Sequence, residues 1–367
     1  MSEQPTVDQF VAAGLIAADD PHAGERRQAL EWLAAQGFTI DEMRAAEAGQ
    51  RLSALVGDSL QRNMTLSIQD VSDRTGISVE RLLDVRRAAG LHPVDVTMPV
   101  HLPEDLEVFE MLIAAAELFS WDALLQFLRV VGSSMARIGD AANMLFMYEV
   151  ERPMRESGAS QLDLVHRGVE AMEVARGMGN MLRMTSRAHL YQAVTWTRQA
   201  HANVPRSVLT VPMSVGFVDL VGFTPRAATL DATELFDLVS RFEARAHDLV
   251  TDLGGRLVKL IGDEVMYVAV DAATGCDIAI GLLETFGDDP ALTPRGGLAH
   301  GDVLARSGDF FGPTVNLAAR LAEQAVPGEI LATPTVAEAA GRQLGAAGRR
   351  MLKGFAEPVE VVSLGAP

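Results

Sequence analysis

The chain has 367 residues, 48% of them hydrophobic, and a formal net charge of −18, a size that suggests two domains. The acidity is spread evenly, with 28 acidic against 19 basic residues in 1–210 and 21 against 12 in 211–367. Neither half offers the clustered Lys and Arg that a nucleic-acid backbone requires, and a single cysteine, Cys276, excludes a disulfide framework within the chain.

The start, MSEQPTVDQF, lacks a basic segment followed by an apolar run, so no signal peptide is expected. The longest apolar stretches, such as Met111–Phe119, are far short of a membrane span. These features together point to a soluble protein of the reducing cytoplasm.

Residues 1–200 carry apolar residues at helical spacing almost throughout, which predicts an all-α N-terminal domain. Helices are expected over Glu25–Gln36, stopped by Gly37, and over Leu106–Phe119, Trp121–Val131 and Asp163–Met184. Residues 63–91 read as two helices around a Thr-Gly turn. This is either a DNA-binding helix-turn-helix with Ser78–Arg87 as its recognition helix, or a pair packed within a helical domain; the negative charge favours the second. The Met-rich stretches Asn143–Met147 and Gly177–Met184 fit core filling, or a groove for a lipid or partner. Residues 201–213, with two prolines, read as a linker.

From 214 to 367 the texture changes. A strand over Met213–Asp219 precedes a helix capped by Asp231 and Glu234 and closed by Gly254-Gly255. Strands over Arg256–Leu260 and Val265–Val270 flank a tight turn at Gly262-Asp263. A helix through Cys276–Phe286, a strand near Gly296–His300, a helix over Thr314–Ala325 and a strand over Glu329–Ala332 follow, with more strand-like sequence in Met351–Leu364. The order βαββαβ is that of an α+β ferredoxin-like domain.

In that order the first strand and the hairpin share one sheet, so Asp219 and Asp263 can face each other at one end. Two such carboxylates repel unless a cation lies between them, and Mg²⁺ or Mn²⁺ would suit one or two carboxylates plus phosphates. The turn after Asp219, Val221-Gly222-Phe223-Thr224, leads towards a helix and presents N–H groups suited to phosphate. A metal pair beside a phosphate cradle suits phosphoryl transfer.

The segments FVDLVGFT (217–224), KLIGDEVMY (259–267), GDFFGPTVNLAAR (308–320) and LKGF (352–355) followed by Pro358-Val359 resemble, in order, the motifs of class III nucleotidyl cyclases. The resemblance covers about residues 210–365 and implies a class III cyclase catalytic domain whose sites form between two chains arranged head to tail. It implies that Asp219 and Asp263 hold two Mg²⁺ or Mn²⁺ ions per site, that Lys259 and Asp309 read the purine, that Asn316 orients the ribose and that Arg320 stabilises the transition state. Lys353 matches a triphosphate-binding lysine, and Arg306 is a further candidate for the phosphates. Where some members carry an arginine after the strand ending in His300-Gly301, this chain has Asp302.

A Lys donor and an Asp acceptor complement the pairing edge of adenine, whereas guanine presents the reverse polarity, so ATP is expected over GTP. Guanylate cyclisation, or a nucleotide-binding regulator without catalysis, are the alternatives. The helical domain is similar in arrangement to those of the mycobacterial pH-sensing, autoinhibited adenylyl cyclases, through WLAAQGFTIDEMRAA (32–46) and LLDVRRAAGL (82–91). This implies a homodimer regulated through residues 1–200 by protons or a lipid. His189 and His201, near the linker, are the candidate proton sensors because imidazole titrates near neutral pH.

Overall fold

The computed structural model describes residues 5–17, 19, 22–200, 210–287 and 292–364. The described chain forms two compact units, dividing between Thr185 and Ser186. His201 and most of the expected linker lie outside the described residues.

The first unit is helical and holds two apolar clusters. One gathers Phe10, Leu30, Leu33, Met43, Leu52, Leu162 and Val165, so that the helix Gln161–Arg176 closes over helices Ala23–Ala35 and Ala54–Arg62. Burying each such large side chain contributes about 1.5–3 kcal/mol. The other centres on Ile68, Val71, Leu82, Phe109 and Leu112. A small ribbon of β1 (Leu66–Ser67) and β2 (Pro99–His101) adds strand to a segment expected to be all helix.

The helix pair foreseen in 63–91 is present as Ile68–Thr75 and Val79–Ala88, separated by Gly76 at φ +76°. Its second helix buries Leu82 and Ala88, and Arg81 lies over the ring of Trp121 on the next long helix. That helix runs over Trp121–Phe146, well beyond the expected Val131. It crosses the end of the pair at Gly132, where a Cβ would lie 2.4 Å from the Ala89 carbonyl oxygen. Met144, Met147, Met181 and Met184 are exposed and fill no core. Among the described residues, no helix is long and apolar enough to cross a membrane.

The second unit is built on one mixed sheet. Its strands are β3 (Thr210–Val221), β4 (Arg256–Ile261), β5 (Glu264–Ala269), β6 (Thr293–Arg306), β7 (Asp309–Phe311), β8 (Ile330–Ala332), β9 (Gly345–Arg350) and β10 (Val359–Leu364). They lie in the order β4-β5-β3-β6-β8-β10-β9, with β7 folded onto β6. The first four, β3 to β6, stand as β4-β5-β3-β6 and are antiparallel throughout, the ferredoxin-like arrangement. Residues 210–213, read as linker from their proline and polarity, begin β3 because they pair with Gly301–Leu304 of β6.

Period-two alternation assigns the two faces. Val218, Leu220, Val265 and Tyr267 point to one face, where helices Ala232–Asp252 and Ala272–Phe286 cover them. Met213, Val215, Phe217, Met266 and Val268 point to the other, against helix Pro313–Gln324 through Ala318 and Ala322. The approach of that helix depends on Gly297, where a Cβ would sit 2.2 Å from the Ala318 carbonyl oxygen and 2.3 Å from the Ala322 nitrogen.

Gly297→Val should therefore destabilise the second unit by at least the roughly 1–3 kcal/mol of an overpacked core, read as a fall in urea midpoint. A pH effect follows from His300 on β6. Its Nδ1 lies 3.0 Å from the Ser214 hydroxyl, which itself donates to the Asp271 carbonyl oxygen at 3.0 Å. Burial lowers the His300 pKa, so the fold favours the neutral ring, and the stability this contributes is lost as pH falls below the ordinary value of 6.5. Thermal melts between about pH 7.5 and 5.5 should show that loss, and His300→Gln should flatten it.

Candidate active site

Asp219 stands near the end of β3, on the face covered by helix Pro313–Gln324, in register with Glu264 on β5 and Arg295 on β6. Register partners in an antiparallel pair point the same way, so these three side chains emerge together. Asp263 occupies the turn just before Glu264, with Gly262 at φ +66° supplying the reversal.

The electrostatics of this end are lopsided. Burial pushes the Asp263 carboxyl up, and the Asp219 carboxylate beside it adds to the rise. Burial, with Asp219, Asp263 and Glu323 nearby, raises Glu264 to about 7. Against these acids stands Arg295, whose Nη2 and Nε donate to Asp219 Oδ2 at 3.0 and 3.2 Å. Its Nη1 reaches the carbonyl oxygens of Glu323 and Ala325, at the end of helix Pro313–Gln324. Among the described residues, no three metal-ligating side chains converge on one point. Asp219 and Asp263 are the close pair that could hold a divalent cation, with the rest of its shell left to another molecule.

The segment after Asp219 turns sharply. Gly222 has φ +95° and opens the short helix Phe223–Ala227; Phe223 is buried, Val221 is half-buried and Thr224 is exposed.

The Lys259 and Asp309 side chains meet directly, Nζ to Oδ2 at 2.5 Å, with 39% and 30% of their surfaces exposed. The other Asp309 oxygen accepts from the Phe310 N–H at 2.8 Å. An irregularity in β4 makes the meeting possible. The register slips between Leu257 and Lys259, so Val258 is an extra residue and Lys259 pairs with Met266. In strict alternation Lys259 would follow Leu257 into the apolar cluster on the opposite face; the bulge turns it to the face of Met266 and Phe310. Asp309 borders a cavity of about 240 Å³ lined also by Trp196, Met213, Arg256, Arg306 and Phe310. Larger hollows of about 460 and 430 Å³ lie in the helical unit, among none of these residues.

Asn316 and Arg320 sit one turn apart on helix Pro313–Gln324, which begins with Pro313 after Gly312. Asn316 is exposed, and Arg320 Nη1 donates to the Glu323 carboxylate. Neither bonds to Asp219 or Asp263. Lys353 is exposed in the loop between β9 and β10, with no bond to the acidic pair, and Arg306 lies across the β6–β7 hairpin from Asp309. Arg295, Glu264 and Glu323 escaped the sequence reading. Glu264 was open to it, since it follows Asp263 directly, whereas Arg295 is 76 residues from Asp219 and joins it only through strand register.

The family model of the adenylate cyclase regulatory domain matches residues 8–192, and that of the adenylate and guanylate cyclase catalytic domain matches residues 209–358. An uncharacterized protein of Mycobacterium tuberculosis is 32% identical over 370 residues, covering 97% of this chain and 93% of that protein. A pH-sensitive adenylate cyclase of the same species is 32% identical over 351 residues, covering 90% and 85%. An adenylate cyclase of Streptomyces coelicolor is 33% identical over 275 residues, covering 72% and 68%. Among solved structures, an adenylyl cyclase from P. aeruginosa aligns with 43% of this chain and 95% of its own, at 23% identity and a TM-score of 0.40.

The charge balance of the acidic end is open to measurement. In metal-free protein, Asp219→Asn removes a negative charge facing Glu264, so the carbon-13 titration of that carboxyl should move down from about 7.

Proposed function

The chain belongs to the class III adenylate and guanylate cyclase family, and on that premise we propose that it is an adenylyl cyclase, converting ATP to 3′,5′-cyclic AMP and pyrophosphate. The reading rests chiefly on Asp219 and Asp263, two acids crowded at one sheet end, with Arg295 bonded to Asp219. Such a pair fits Mg²⁺ or Mn²⁺ better than it fits itself. When bound, two such ions supply the charge that lowers the pKa of the ribose 3′-hydroxyl and offsets the phosphates.

The chain's own residues have the following proposed roles. Asp219 and Asp263 hold the ions. The backbone N–H groups of Val221, Gly222, Phe223 and Thr224 face the β- and γ-phosphates, with Lys353 a further contact. Arg295, bonded to Asp219, offsets part of the negative charge at this end. Lys259 donates to adenine N1 while Asp309 accepts from N6; their mutual bond at 2.5 Å supports this, since donor and acceptor already stand side by side. For guanine both would be mismatched, at a cost of roughly 1–3 kcal/mol each. Asn316 orients the ribose, and Arg320 meets charge developing on the α-phosphate.

Asn316 and Arg320 bond to neither metal-binding aspartate within one chain, which supports a site shared by two chains of a head-to-tail homodimer. One chain would bring Asp219 and Asp263, its partner the purine pair and the Asn/Arg pair. The helical unit is proposed to regulate this site. The pH-sensitive relative supports protons as the signal, with exposed His189, and His201 outside the described residues, the candidate sensors.

Asp219→Ala and Asp263→Ala should each reduce cyclic AMP formation by about a thousandfold or more, as loss of a central charge-stabilising group does. Retained activity would reject the reading. Mixing inactive Asp219→Ala and Arg320→Ala chains should restore part of the activity, because mixed dimers then carry one intact site; no recovery would reject the shared site. An unchanged pH–activity profile in the His189→Gln, His201→Gln double variant would remove both as sensors.

A further inference from the structure

We infer that Arg256 is a positioning residue for the purine-reading carboxylate: it clamps the β6–β7 hairpin so that Asp309 faces Lys259. The inference rests on the proposed reading of adenine by that pair.

Asp309 is the first residue of β7 and follows a two-residue turn with positive φ at both positions, the type I′ pattern of tight hairpins. Ser307 and Gly308 both lie in the left-handed region, at φ +54° and +80°. Glycine adopts that conformation freely; serine does not. β7 itself is three residues long and pairs with β6 alone. Its backbone pairing holds β7 to β6 but does not tie it to β4, which carries Lys259, so a contact reaching across from β4 helps.

Arg256 supplies that help from the far edge of the sheet. In the strand order, β5 and β3 separate β4 from β6, so no backbone bond links β4 to the hairpin. Two side chains do. Arg256 Nη2 donates to the Gly308 carbonyl oxygen at 3.1 Å, and its guanidinium carbon lies 5.7 Å from the centre of the Phe310 ring. Lys259 bonds Asp309 between them. Arg256 thus grips the residue before Asp309 and the residue after it.

The bulge at Val258 explains why both cations can act. Arg256 pairs with Val268 and Lys259 with Met266, and both partners belong to the cluster that holds Phe310. Without the extra residue, side chains three apart on a strand would point to opposite faces. A planar forked guanidinium can bond a carbonyl and lie over a ring at once, which a lysine ammonium at the same place cannot do as well.

The test uses the full chain and measures kcat and KM for ATP, the inhibition constant of GTP, and Tm. Arg256→Ala should raise KM for ATP about tenfold with kcat within about twofold, while the inhibition constant of GTP stays the same or falls, because Asp309 matches adenine and is mismatched by guanine. Arg256→Lys should recover part of the discrimination. Phe310→Leu keeps the apolar core, removes the ring under the guanidinium, and should shift the same ratio in the same direction, even if Arg256→Ala does not fold. Equal changes for ATP and GTP, or no change in either, would overturn the clamp. Lys259→Met and Asp309→Ala serve as reference. If they abolish ATP preference while the Arg256 variants keep it, the clamp alone fails; if all keep it, the purine reading itself fails.

Discussion

Three carboxylates share one end of a sheet with one guanidinium, and the rest of the catalytic unit is arranged around that imbalance. Burial raises Asp263 and Glu264, the Asp219 carboxylate adds to both, and Asp263 and Glu323, the latter from the facing helix, add to the rise at Glu264. Arg295 offsets part of this by bonding Asp219 and the end of the helix together. A fold has little reason to keep like charges half-buried and crowded unless something else brings the missing positive charge. A divalent ion carried in with a polyphosphate would do so under the proposed function.

The sheet keeps that chemistry apart from its own support. One face is closed by two long helices over Val265 and Tyr267, with Ile278 and Leu282 of helix Ala272–Phe286 in the same cluster, all fully buried. Asp219, Glu264, Arg295, Arg256, Lys259 and Asp309 sit on or beside the other face, where a single helix lies down the middle through Gly297 and leaves the ends open. The rigid face holds the strands in register, and register brings residues distant in sequence to one place. The same division explains Tyr267, whose buried hydroxyl donates to the Gly275 carbonyl oxygen at 2.8 Å, under a strand that keeps Gly216 to make room for the ring.

Several elements were legible because their cause is local. The Asp231–Glu234 capping box is observed as read, with Asp231 accepting from the N–H of Thr233 and of Glu234 at 2.9 Å. The helix stop at Gly37 and the turn at Gly262-Asp263 also depend on a few adjacent residues. Others were hidden. The long helix from Trp121 was cut short because its outer surface carries exposed apolar residues such as Phe127 and Leu145, which blur the helical period. β7 and β9 were missed because a strand of three residues and one containing Gly345, Ala346, Ala347 and Gly348 have almost no apolar alternation to read.

The amino-acid sequence by itself determined the class of the protein: a helical half, then a βαββαβ half, with one carboxylate before a Gly-containing turn, another within a second such turn, and an Asn and Arg one helical turn apart. Those features depend on neighbours within about four residues, and local chemistry is enough to express them. Only the tertiary structure decided which charges meet. The Arg295–Asp219 bond comes from pairing across β3 and β6, and the Lys259–Asp309 bond from a bulge that turns one side chain to the other face. A one-residue slip in either pairing would send each of these side chains into the opposite layer, and no short stretch of sequence carries that information.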